Sequence, residues 1–226
     1  MFPYFCSVQK SNELEGRSIK RLAVFASGYG TNLARIHTEI VEGRLRGAEL
    51  ALVISNNSKA GALEYARKQG IRAEHRSVLQ YGGNADRYNA ELLSMMQESG
   101  IEVVALAGYL KKLPEEFIET FENRILNVHP ALLPSFGGSG MYGARVHEAV
   151  LARGCKVSGA TVHFVSNDYD AGPIVLQKCC PVSENDTLET LERRVREIEY
   201  EIFPKAIGLL ANDKLIVKDH RVTILP

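Results

Sequence analysis

Two hydrophobic periods alternate along the first 130 residues of this chain, and that alternation limits the fold more than any other feature. RLAVFA (21–26) is a short apolar run, and TNLARIHTEIVEG (31–43) then places Leu33, Ile36, Ile40 and Val41 at helical spacing. ELALVIS (49–55) reads as a second strand, and KAGALEYARKQG (59–70) as a helix ending at Gly70. A short strand near IRAEH and a helix near 84–99 follow, then strands at EVVALAG (102–108) and RILNV (124–128). Strands that alternate with helices build a parallel sheet covered on both faces, and near-continuous apolar strands suit burial on both sides. After residue 150 the pattern changes. KVSGATVHFV (156–165) and PIVLQKCCPV (173–182) flank a polar loop and read as an antiparallel pair. Residues 186–210 read as a long amphipathic helix with Pro204 near its end, and LIVKDHRVTIL as a closing hairpin. The expected class is α/β: a Rossmann-like, mostly parallel sheet with helices on both faces, C-terminal antiparallel strands and a long helix. Residues 20–226 are expected to form a single domain, preceded by an N-terminal extension over 1–19.

Charge and composition exclude several classes. Lys plus Arg is 27 and Asp plus Glu is 27, so the net charge is zero and no basic excess marks a nucleic-acid binder. No apolar run approaches the roughly 20 residues that span a bilayer, and the N-terminus lacks the apolar core of a signal peptide. Cys6, Cys155, Cys179 and Cys180 form no CxxC pair, so neither a metal site nor a disulfide framework is expected. Free thiols point to the cytoplasm.

Two stretches carry candidate chemistry. ASGYGTNL (26–33) joins the first strand to the first helix. Gly28 and Gly30 permit a tight turn, and the helix start offers free N–H groups and the positive dipole end to a phosphate, with Thr31 and Asn32 adding donors. The loop is short and lacks a third glycine, so a monophosphate suits it better than a dinucleotide. RILNVHPALLPSF (124–136) ends a strand with Asn127 and His129 on one face, and Pro130 stops the ladder. Such strand ends are where open α/β sheets bind ligands. HFVSNDYDAGPIV (163–175) brings Asp168 and Asp170, either of which can orient and charge His129. His163 reads as a satisfied strand histidine, and His147 as structural near a helix start. His37, His75 and His220 have no supporting context. An Asn, a His and an Asp suffice for acyl transfer to a substrate amine, and no G-x-S-x-G elbow supplies a covalent nucleophile.

ASGYGTNL, LAGYLKKLP, NVHPALLPSF and TVHFVSNDYDAGPIV together resemble the phosphoribosylglycinamide formyltransferases of purine synthesis, over about residues 21–210. The resemblance implies a formyl group moved from 10-formyltetrahydrofolate, the cosubstrate, to the amine of glycinamide ribonucleotide, without a metal. It implies catalytic roles for Asn127, His129 and Asp170. It implies ribonucleotide binding by Gly30, Thr31, Asn32 and Glu199. Folate binding falls to Leu110, Leu113, Asn127 and the loop Ser166, Asn167, Asp168, Tyr169 and Asp170. Two departures stand out: Ala85 replaces a folate-contacting arginine, with Arg87 nearby, and a glycine-rich loop over 137–145 ends in Arg145 where a histidine is common. The alternatives are a methionyl-tRNA formyltransferase-like activity, whose relatives carry a further tRNA-gripping domain, and hydrolysis of formyltetrahydrofolate. Small-molecule partners are expected, as a monomer or homodimer, with no nucleic acid and no membrane.

Overall fold

A computed structural model describes residues 19–226, so the extension expected over 1–19 lies outside the described residues but for Ile19. The chain builds β1 (Lys20–Phe25), α1 (Thr31–Val41), β2 (Ala48–Ser55), α2 (Gly61–Lys68), β3 (Arg72–His75), α3 (Ala85–Glu98), β4 (Val103–Leu106), α4 (Glu115–Thr120) and β5 (Ile125–His129). It continues with α5 (Ala144–Ala152), β6 (Val157–Phe164), β7 (Ile174–Pro181), α6 (Leu188–Ala211), β8 (Leu215–Lys218) and β9 (Arg221–Ile224). A single 3-10 turn, Val78–Tyr81, precedes α3.

Seven strands form one sheet in the order β3-β2-β1-β4-β5-β6-β7. The first five are parallel, and β6 and β7 add antiparallel. The remaining two strands, β8 and β9, pair as the expected hairpin. The apolar strands divide their side chains between two cores, as alternation requires. Leu22, Val24, Val53 and Leu126 pack with α1, α2, α5 and α6 on one face. Phe25, Leu52, Ile54 and Ile125 pack with α3 and α4 on the other. The long helix continues through Pro204, which is itself buried. Packing there outweighs the backbone hydrogen bond that proline removes.

The turn from β6 into β7 holds Asp170 with φ of 54°, followed by Ala171 and Gly172. A Cβ at Gly172 would lie 1.8 Å from the Phe164 carbonyl oxygen. That backbone cannot move without shifting the β6–β7 ladder. Gly172→Ala is therefore expected to destabilise the fold by about 3 kcal/mol. Chemical denaturation measures it, and a loss under about 0.5 kcal/mol, the range of a neutral surface change, would contradict the packing.

Candidate active site

From β1 the chain runs outward through β2 and β3, then returns to add β4 on the other side of β1. Strand order thus reverses between β1 and β4, which opens a crevice at their carboxyl ends. A cavity of about 660 Å³ lies there, extending over the end of β5. Ser27 ties its rim together. The Ser27 hydroxyl accepts from the Leu110 N–H at 2.9 Å and donates to Asn56 Oδ1, joining the loops after β1, β2 and β4.

One end of the cavity is a buried polar cluster. Antiparallel pairing sets His163 opposite Asn127 and Thr161 opposite His129. Asn127 Nδ2 donates to His163 Nε2 at 3.0 Å, and His163 Nδ1 donates to the Phe164 carbonyl at 2.8 Å. Asp170 enters from its loop between the two rings. Its carboxylate lies 3.5 Å from His129 Nδ1 and 3.6 Å from His163 Nε2, and it accepts the Gly138 N–H at 2.9 Å. His129 Nε2 donates to the Phe136 carbonyl at 2.8 Å, which leaves Nδ1 as its basic nitrogen. Thr161 braces the turn beyond His129, donating to the Ala131 carbonyl at 2.6 Å and accepting the Leu133 N–H at 3.0 Å.

The electrostatics correct one expectation. A neighbouring carboxylate was expected to raise the His129 pKa, yet burial dominates and lowers it, against the opposing pull of Asp170 and of the Phe136 carbonyl. Burial also works against ionising Asp170, but the facing His163, His129 and the Gly138 N–H together hold its carboxyl below its ordinary value. The resting cluster is thus a carboxylate beside a neutral imidazole. His163, read from sequence as a satisfied strand histidine, proves to be part of this cluster. Asp168 lines the cavity but stands outside the His129–His163 cluster.

The other end is the glycine turn. Gly30 caps α1 with φ of 82°, and a Cβ there would meet the Ala62 Cα at 2.8 Å. Gly30 therefore shapes the turn from behind, and Gly28, Thr31 and Asn32 line the cavity. No side chain caps α1 and no acidic residue sits in its first turn, so its leading N–H groups remain available. Asn32 Nδ2 donates to Glu199 Oε2 at 2.8 Å. Glu199 opens to the cavity but is otherwise enclosed by protein, and this burial pushes its carboxyl up to about 7 despite the Asn32 hydrogen bond. Along the same face of α6 lie Arg196 and Glu192, paired with one another. His147 from α5 also lines the cavity, although sequence reading made it structural.

The remaining wall carries the residues expected to hold a folate. Leu113 is buried and Leu110 exposed, and both line the cavity with Ser166, Asn167, Asp168 and Tyr169. Asn167 Nδ2 donates to Glu115 Oε1 at 3.0 Å, fixing this loop to α4. Neither Ala85 nor Arg87 is among the lining residues. Lys111, Lys112, Arg145 and Arg196 are the lining cations, with Arg145 stacked over the Tyr142 ring.

Comparison with known proteins agrees with this geometry. The formyl transferase family model matches residues 20–207. A chloroplastic phosphoribosylglycinamide formyltransferase of Arabidopsis thaliana is 38% identical over 91% of this chain and 70% of its own length. A trifunctional purine biosynthetic protein of Gallus gallus is 38% identical over 85% of this chain, which spans 18% of that larger protein. The crystal structure of glycinamide ribonucleotide transformylase 1 from Symbiobacterium toebii superposes with a TM-score of 0.87 at 40% identity, covering 97% of this chain and 100% of that one. The chain belongs to the formyl transferase family, among the phosphoribosylglycinamide formyltransferases.

Proposed function

We propose that residues 20–226 act as one domain that transfers the formyl group of 10-formyltetrahydrofolate to the amine of glycinamide ribonucleotide, a step of purine (IMP) synthesis, in the cytoplasm. The observation that carries this reading is the Asp170 carboxylate set between His129 and His163, beside the Asn127 amide, in one cavity with the uncapped start of α1. Hydrolysis of the folate would have no use for an anion site at α1 or for Glu199.

In this reading the ribonucleotide phosphate lies at the Thr31 and Asn32 N–H groups, within the turn that Gly30 shapes, and Glu199 faces the sugar. The pterin sits between Leu110, Leu113 and the 166–170 loop. The neutral amine attacks the formyl carbon, and its oxygen gains charge. The Asn127 amide donates to that oxygen, an effect on the order of 3 kcal/mol. The amine proton passes to His129 Nδ1, directly or through a water. Asp170 lies beside that nitrogen and compensates the imidazolium, whose other N–H already meets the Phe136 carbonyl. The imidazolium returns the proton as the carbon–N10 bond breaks, and tetrahydrofolate leaves. Proton transfer of this kind contributes about 10²–10⁴ in rate.

The test is an assay of the purified protein with glycinamide ribonucleotide and 10-formyltetrahydrofolate, following tetrahydrofolate release. Turnover is expected. Turnover with charged initiator tRNA or with water alone, and none with the ribonucleotide, would overturn the reading. In the same assay Asn127→Ala and His129→Ala are each expected to lower kcat at least about 10²-fold while ribonucleotide binding survives. Near-parental kcat in either would remove that residue from the mechanism.

Glu199 gives a pH-dependent outcome. Its carboxyl titrates near 7 in the folded chain against an ordinary 4.5. Below the ordinary value both folded and unfolded chains keep the proton, and no penalty arises. As pH rises toward 7 the unfolded chain ionises first, so the folded chain loses relative stability. Glu199→Gln keeps an acceptor for Asn32 and removes the charge. It is expected to be about 2 kcal/mol more stable than the parent at pH 8, water in the cavity relieving part of the full penalty, and equal to it near pH 4. A pH-independent difference in unfolding free energy would contradict the buried carboxylate.

A further inference from the structure

His147 is a buried histidine of the cavity to which neither the catalytic cluster nor the glycine turn gives a task. It is 3% exposed and sits on α5 between the buried Val146 and Val150. Its Nδ1 is closed off from solvent without a hydrogen-bond partner, and among the described residues neither ring nitrogen bonds to protein. Nε2, which has no protein partner either, is not sealed in this way and is the nitrogen the cavity can reach.

Its surroundings say what that is. Three charged or titratable groups face it: Glu192 and Arg196 from α6, and His129 from the end of β5. The same face of α6 carries Glu199, which holds Asn32 at the glycine turn. Seven residues separate Glu192 from Glu199, a rise of about 10 Å along the helix, which is the order of length of one extended ribonucleotide. Glu192, Arg196 and Glu199 line the cavity from one face of α6, between the glycine turn that Glu199 meets and the His129 cluster, and His147 lies near Glu192, Arg196 and His129. Burial, more than the opposing Glu192, keeps this imidazole neutral. A neutral ring offers one N–H and one lone pair. With Nδ1 sealed away, Nε2 presents a single site, an N–H or a lone pair by tautomer, and a hydroxyl, which both donates and accepts, pairs with either form.

We propose that His147 is a substrate-contacting residue of this enzyme, hydrogen-bonding a sugar hydroxyl of the bound ribonucleotide between its phosphate and its amine. The inference rests on the formyl-transfer reading above and adds to it a residue that fixes the sugar. Arg196 and Glu192, paired across one turn of α6, line the same cavity.

His147→Leu removes both nitrogens at nearly constant volume, and His147→Gln restores a donor and an acceptor. The Leu variant is expected to raise KM for glycinamide ribonucleotide about 10-fold, the loss of one hydrogen bond, with kcat and the KM for 10-formyltetrahydrofolate within about twofold of the parent. Its Tm should equal or exceed the parental value, because an orphaned buried nitrogen has gone. Gln should recover part of the KM. Ribonucleotides lacking the 2′- or the 3′-hydroxyl complete a double-mutant cycle: one of them should weaken the parent about 10-fold and the Leu variant hardly at all. An unchanged ribonucleotide KM in the Leu variant would overturn the contact. So would a parallel loss of Tm and of affinity for both substrates, which is what a packing role gives. Should the Leu variant fail to fold, His147→Met, which likewise carries no N–H, decides with the deoxy substrates: undiminished discrimination against them, as in the parent, also overturns it. A parent that formylates the ribonucleotide while the variants match it sinks the His147 contact alone. A parent with no such turnover sinks the formyl-transfer reading as well.

Discussion

The carboxylate of Asp170 is the group on which the site depends. It meets His129 at the end of β5, His163 on β6 and the Gly138 N–H of the glycine-rich loop. Three separate segments are thereby referred to one charge. An ionised carboxylate at this depth is tolerated because the Gly138 N–H donates to it and two imidazoles flank it. Removing its charge would leave only the Phe136 carbonyl to oppose burial at His129, and burial favours the neutral ring. The positive φ of Asp170, 54°, and the tight approach of Gly172 to Phe164 show how strictly the backbone aims this side chain.

The fold brings that carboxylate to the ligand by changing direction. Five parallel strands make the crevice, and their crossovers supply the uncapped start of α1 at its mouth. A further parallel strand would place its neighbour's side chains through another crossover helix. The switch to antiparallel β6 instead pairs His163 directly with Asn127, within one ladder. The long α6 then lies over the opposite face and carries Glu199 back to Asn32, so the first and last large helices share the anion site.

Much of this was legible in the sequence because it rests on periodicity and local chemistry. The alternation of 2- and 3.6-residue periods gave the parallel half, and the polar loop between two apolar runs gave the antiparallel pair. Asn127 and His129 could be placed on one face from their spacing alone. What stayed hidden depends on partners distant in the chain. His163 joins the cluster through the register of β5 against β6, and register is set by tertiary packing. Gly30 is required by the close approach of Ala62 on α2, a neighbour the sequence does not show. The direction of the His129 shift required knowing how deeply the ring is buried. α4, six residues with one apolar pair, was too short for its period to register.

The most direct test of the account is the pH dependence of kcat/KM in Asp170→Asn. The substitution keeps shape and an acceptor for Gly138 while removing the charge. The parental acidic limb reports loss of the neutral His129 base, and Asp170 raises that pKa against burial. Without the carboxylate the His129 pKa falls further, so the limb should move to lower pH. Turnover should fall about 10²-fold, since the imidazolium formed during proton transfer loses its counter-charge, while folate binding changes little. Parental turnover with an unmoved acidic limb, especially if Asp168→Asn produced the shift instead, would contradict the central place given to Asp170.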